Sequence, residues 1–294
     1  MNHMSPTIGI LFALGALFGW ALGDFSIQRA VRAVGNVHAL FYIGILGAVG
    51  LLPFVWNEIV PTFSNTGNWP LMAFICLLIF FTALVNFQTL KLGKLSVVMP
   101  INGIELVIAL LLAAAVGRER YAPLIYGFML LVALGLILTS VISIKNLKRM
   151  RWEKGVAFAF VGAMGLGASD YFIGQSSRVF SPLFTNWLID AALALGTFII
   201  ILKRYKPAGL LHDLQRHFNI IASQSLLDNL AWISFAYSAT YIPIGIASAV
   251  SEGYLALGAM LGVLINKERL RPHQYLGIGI TIFGVLALSL LTAS

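Results

Sequence analysis

GALFGWALGDFSIQRAVR, residues Gly15 to Arg32, sets an aspartate deep inside an apolar run of helix length. A carboxylate in that position is costly in a bilayer and marks a functional site or a paired contact. Gly15, Gly19 and Gly23 recur every fourth residue around Asp24, giving a smooth face that a second helix can approach closely. Half a chain later the text returns as GAMGLGASDYFIGQSSR, Gly162 to Arg178, with Asp170 in the place of Asp24. The two stretches predict a duplicated fold built around intramembrane acids.

Composition sets the class. Of 294 residues, 59% are hydrophobic and 10% charged, with a mean hydropathy of +0.90. A soluble domain carries about 25% charged residues, so this chain is predicted to be an integral membrane protein whose main partner is the lipid bilayer. The net charge of +8 does not point to nucleic acid, because the basic residues sit in short loops between apolar runs. Cys76, the single cysteine, lies within an apolar run, which excludes a disulfide framework or a cysteine-based metal site. The opening MNHMSPT lacks a basic n-region, so the apolar run after it reads as a first span and not as a cleaved signal.

A helix needs about 20 apolar residues to cross the hydrocarbon core. Breaking the chain at charges, Pro and Gly gives ten such runs, at roughly 8–29, 37–56, 69–90, 95–117, 121–144, 155–177, 183–203, 218–239, 243–265 and 272–292. The connections are short; the longest are 57–68 and 204–217, the second predicted to lie at the membrane surface. The repeat extends past its opening: Phe25 matches Tyr171, Ile27 matches Ile173, Arg32 matches Arg178 and Glu105 matches Glu252. Residues 1–147 and 148–294 are therefore expected to form two five-helix repeats. An odd number of spans in each turns the second upside down relative to the first. The expected fold is all-α, ten transmembrane helices as two inverted five-helix repeats, the usual build of a secondary transporter.

Of the 19 Lys and Arg, only Arg118, Arg120 and Arg178 fall in the connections after even-numbered spans. The remaining basic residues follow odd-numbered spans, which places those loops in the cytoplasm and both termini outside the inner or plasma membrane.

Glu105-Leu106, followed by an apolar run into Gly117-Arg118-Glu119-Arg120, is similar to the Glu-Pro…Gly-Glu-Arg pattern of the drug/metabolite transporter superfamily, EamA type. Glu252-Gly253 running into Asn266-Lys267-Glu268-Arg269 repeats it, and the resemblance in helix count, duplication and length spans the whole chain. Leu106 and Gly253 stand where the family pattern has Pro. Members are commonly drawn with both termini inside, whereas the charges here place them outside. The resemblance implies export or exchange of small metabolites, amino acids or drugs by alternating access. It also implies that spans 1, 3, 4, 6, 8 and 9 line a central cavity while spans 5 and 10 pack peripherally.

At about 1.5 Å rise per residue, Glu105, Asp228 and Glu252 fall near the middle of spans 4, 8 and 9. Asp24 and Asp170 fall in the last third of spans 1 and 6, and inversion displaces them toward opposite faces. Helical spacing adds Trp20 and Gln28 to the face of Asp24, Asn102 to Glu105, Ser248 to Glu252, and Trp232 with neighbouring Asn229 to Asp228. Asn86 marks a polar stripe on span 3. The substrate-binding candidates are thus Glu105, Asp228, Glu252, Trp20, Trp232, Asn86, Asn102, Asn229 and Ser248. Gate or proton-coupling candidates are Asp24, Asp170, Gln28 and Tyr171.

Acids beside aromatic rings suit an amino acid or organic amine, through charge pairing and cation–π contact. Carboxylates in low dielectric readily bind protons or cationic groups, which is enough for a proton-coupled carrier. Structural roles remain the alternative for each single acid, and Asp190 with Asn186 reads more readily as structural. A multidrug or toxic-cation efflux carrier is the alternative function, followed by a channel-like facilitator. No nucleophile–base or metal-ligand spacing appears within the spans, so neither an enzyme nor a cofactor or metal is expected. Both halves lie in one chain, so a monomer or weak dimer is expected.

Overall fold

Apolar runs bounded by Pro, Gly and charge become helices because a chain in lipid must satisfy every backbone polar group internally. The computed structural model describes residues 5–92, 101, 103–140, 154–205, 207–266 and 270–293, and among them the regular structure is entirely helical. The α-helices are α1 (Pro6–Val34), α2 (Asn36–Ser64), α3 (Trp69–Leu92), α4 (Ile104–Ala115), α5 (Pro123–Ser140), α6 (Lys154–Val179), α7 (Pro182–Arg204), α8 (Ala208–Tyr241), α9 (Ile244–Ser251), α10 (Tyr254–Asn266) and α11 (Pro272–Ala293). Helices α9 and α10 share the ninth span. Six segments are long and apolar enough to cross a membrane by themselves. The other helices join the same bundle. Large apolar side chains point outward, as Leu11, Phe18 and Leu22 do along one face of α1. Water would penalise such a surface; lipid does not.

Packing follows the repeat. Helix α1 lies on α8, and its counterpart α6 lies on α3, the counterpart of α8. Helices α2 and α7 pair with each other, as do α5 and α11. The glycine ladder of α1 makes its contact possible: Gly15, Gly19 and Gly23 face Ser234, Ala231 and Leu227 of α8, one turn apart. In the second half Gly162 and Gly165 face Asn86 and Thr82 of α3.

Three features differ from the ranges read off the sequence. Helix α2 continues to Ser64, past Pro53 and Pro61. Helix α8 begins at Ala208, and His217 (φ −125°, ψ 24°) bends it. Its first turns dock on α2, where His38 Nδ1 lies 2.7 Å from Asp213 Oδ2 and the Tyr42 hydroxyl donates to the Leu210 carbonyl at 2.6 Å. Residues 210–217 therefore fold against the bundle. The ninth span is broken at Glu252-Gly253, although Gly and not Pro occupies the break.

Candidate functional site

The first turn of α4 carries Glu105, and the break between α9 and α10 carries Glu252. The repeat thus puts one glutamate at a helix terminus in each half. Asp170 of α6 joins them, and carboxylate oxygens of all three lie within 4.8 Å of one another. The three residues are buried, and Glu105 Oε2, Glu252 Oε2 and both Asp170 oxygens have no hydrogen-bond partner. Ser248 of α9 lies beside Asp170, with its own fully buried hydroxyl unpartnered.

Next to this triad is a chamber of about 140 Å³ whose lining includes Trp20, Asp24, Asn86, Glu105, Asp228, Asn229, Trp232, Glu252 and Tyr254. Asp24 is exposed to it and Asp228 half-exposed, so both carboxylates face space and not packed protein. They are neighbours: a Cβ on Gly23 would lie 3.9 Å from the Asp228 backbone nitrogen. Above them the rings of Trp20 and Trp232 meet edge to face at 4.8 Å, and Tyr254 abuts Trp20 at 5.7 Å. The salt bridges among the described residues are His38–Asp213, Arg178–Glu119 and His212–Asp213, none of which involves a chamber carboxylate.

The chamber gathers most of the sequence candidates. Asp24 opens into the same space as Glu105, Asp228 and Glu252, and Asp170 joins the two glutamates. The two repeat aspartates thus do not flank the cluster at separate depths, as rise along each helix suggested. Helical rise fixes depth but not which face turns inward. Asn229 lines the chamber while its amide donates to the Ile43 and Ser225 carbonyls at 3.1 and 2.8 Å. Gln28 is half-buried and outside the lining. Tyr171 is buried away from the chamber, against Gly117 at the end of α4, and its hydroxyl accepts from Gln175 Nε2 at 3.0 Å. Asn102 lies outside the described residues.

Helices α2 and α7 also line the chamber, beyond the spans the resemblance implied, whereas α5 and α11 contribute nothing to it. Asn186 and Asp190 of α7 reach it, and Leu40 and Ile43 of α2 complete that wall. The cause is Gly44 and Gly47 of α2. A Cβ on Gly44 would press on the α7 backbone at Asp190 and Ala194, and one on Gly47 would overlap the Asp190 carboxylate and the Asn229 amide. The glycines of α2 were the sequence signal for this close pairing.

At one end of the bundle a polar network ties the two halves together. Glu119, in the connection after α4, accepts from the backbone N–H groups of Ile244 and Gly245 at 2.9 and 3.1 Å, where α9 begins. A carboxylate at that position is favoured by the helix dipole. Arg178, at the end of α6, reaches Glu119 at 3.3 Å and donates to the carbonyls of Ala239 and Ile242 at 2.7 and 2.9 Å. Tyr121 donates to the other Glu119 oxygen. Burial, with the nearby carboxylate, holds its phenol well above the ordinary value, so it stays protonated. Arg118 adopts the left-handed backbone region (φ 53°), a strained conformation that turns the next residue inward. Arg32, the repeat counterpart of Arg178, is exposed instead.

Two halves packed by the same pairwise rule around an internal polar chamber form a multi-pass membrane transporter. The chain belongs to the EamA-like transporter family, whose profile matches twice, over residues 7–141 and 153–290. A solved crystal structure shares the fold with a TM-score of 0.76 at 12% sequence identity, covering 97% of each chain. No curated protein matches the sequence. As a family member, the protein transports small molecules across a membrane.

Proposed function

We propose that the protein is a secondary transporter that exports or exchanges small amines or amino acids by alternating access, driven by a proton or another ion gradient. The observation that carries this is the chamber wall on which Asp24 and Asp228 lie together beneath Trp20, Trp232 and Tyr254. An ammonium group there pairs with carboxylates and packs on ring faces, two attractions strengthened by exclusion of water. An anionic substrate finds no basic side chain among the described residues of the lining.

Volume favours the smaller substrates. About 140 Å³ is close to a cavity that admits one benzene, whereas drug-sized ligands occupy about 300–1,000 Å³. Multidrug efflux would need a wider chamber than this conformation offers. The tied end, closed by Glu119 and Arg178, fits alternating access better than a continuous pore.

The test is counterflow in proteoliposomes with labelled amino acids, a polyamine and a quaternary amine as separate probes. Saturable uptake stimulated by internal substrate is expected for one class. A charge-assisted contact is worth about 1.5–3 kcal/mol, so Asp228→Asn should lower that uptake roughly 10–100-fold while remaining inserted and monodisperse. Undiminished counterflow in both Asp24→Asn and Asp228→Asn would remove the amine site.

A further inference from the structure

The acids of the core divide into two groups with different surroundings. Asp24 and Asp228 open into the chamber beside aromatic rings. Glu105 and Glu252 reach the same chamber, but they converge there with Asp170 through buried, unpartnered oxygens. Asp170 is fully buried and absent from the chamber lining, so it contributes to the convergence and not to the chamber wall. Resting on the transporter reading, we infer that Glu105, Asp170 and Glu252, with the Ser248 hydroxyl, form a site for the coupling cation, a proton or a bare Na⁺, at the edge of the chamber, and that the substrate amine pairs instead with Asp24 and Asp228.

Electrostatics requires positive charge here. Three like charges within 4.8 Å repel strongly in a low-dielectric core, and no salt bridge to them exists among the described residues. The Ser248 Oγ is an independent sign: it is fully buried, unpartnered and set against Asp170, so a neutral oxygen waits beside the carboxylates. Oxygen-only donors of mixed charge suit a hard cation.

The position suits coupling. Glu252 sits between α9 and α10, and Glu105 at the start of α4, so a charge bound there ties two helix termini from opposite halves to α6. Helix breaks lining a polar cavity are where ion sites of secondary transporters form. The other titratable groups near the triad are Asp24 of α1 and Tyr254 of α10.

The experiment measures thermal stability of the purified protein without substrate, in NaCl against choline chloride at equal ionic strength, and between about pH 5 and about pH 9. A ligand of the native state at tenfold excess over its Kd raises Tm by a few degrees. The cation-dependent shift should vanish in Asp170→Asn and Glu105→Gln, shrink in Ser248→Ala, and persist in Asp228→Asn, whose substrate counterflow falls. A Na⁺-dependent shift with this pattern identifies a metal cation; a shift with pH alone identifies the proton. The site is refuted if neither variable shifts Tm, or if the shift survives in monodisperse Asp170→Asn and Glu105→Gln. Loss in Asp228→Asn to the same degree would merge the two sites and refute the division. Because no substrate is present, failure here leaves the amine site standing.

Discussion

At the scale of residues, glycine decides what the acids can do. Gly19 lets α1 settle on α8 so that Asp24 and Asp228 become neighbours; a Cβ there would lie 2.8 Å from the Ala231 Cβ. Gly19→Ala should therefore force the helices apart and cost about 1–3 kcal/mol, read as a lower Tm in detergent. Gly50 of α2 faces nothing within 4 Å. Gly50→Ala should be neutral or stabilising by up to about 1 kcal/mol, and an equal loss in both variants would assign the effect to glycine in general. The glycine ladder and Asp24 were legible in the sequence because both follow the period of one helix. The meeting of Glu105, Asp170 and Glu252 was not. It depends on which faces three distant helices turn inward, and depth along each helix carries no such information. Nor was the place of Asp190 at the edge of the chamber legible, since it follows from the close approach of α2 that Gly44 and Gly47 allow.

At the scale of elements, the connection after α4 acts as a clasp across the repeat. Glu119 holds the first turn of α9, and Arg178 holds both Glu119 and two carbonyls at the end of α8. The sequence placed Glu119 beside Arg118 and Arg120; its partners Arg178, Ile244 and Gly245 lie 59, 125 and 126 residues away and emerge only from the fold. Arg178→Ala leaves Glu119 without its counter-charge and two carbonyls without a donor, a loss of about 1–3 kcal/mol from the closed form. In a Cys76→Ser background, Ser169→Cys lines the chamber and reports access to it. An impermeant maleimide added from the clasp side should react about tenfold faster for each 1.4 kcal/mol removed. Unchanged labelling would mean that the clasp stabilises the fold without gating the chamber.

At the scale of the whole molecule, the ten spans and the duplication were plain from apolar runs and repeated text, since lipid leaves the backbone few alternatives. Sidedness is a different kind of property, set by charge outside the membrane and not by packing. The basic residues fall mostly in connections after odd-numbered spans, and from that asymmetry we propose that the clasp lies on the extracytoplasmic face and both termini outside. The chamber lining in α1 runs from Trp20 through Asp24 to Ile27, toward the C-terminal end of that helix; in the proposed orientation that end is cytoplasmic, which fits a carrier closed outside. Arg32 and Arg120 are both exposed and lie on opposite faces of the bundle. With Cys76 replaced by Ser, Arg120→Cys should react with an impermeant maleimide on intact cells, and Arg32→Cys only after the membrane is opened. The reverse pattern would place the clasp in the cytoplasm. The resting structure would then be closed to the cell interior, and the direction of transport that the chamber favours would invert with it.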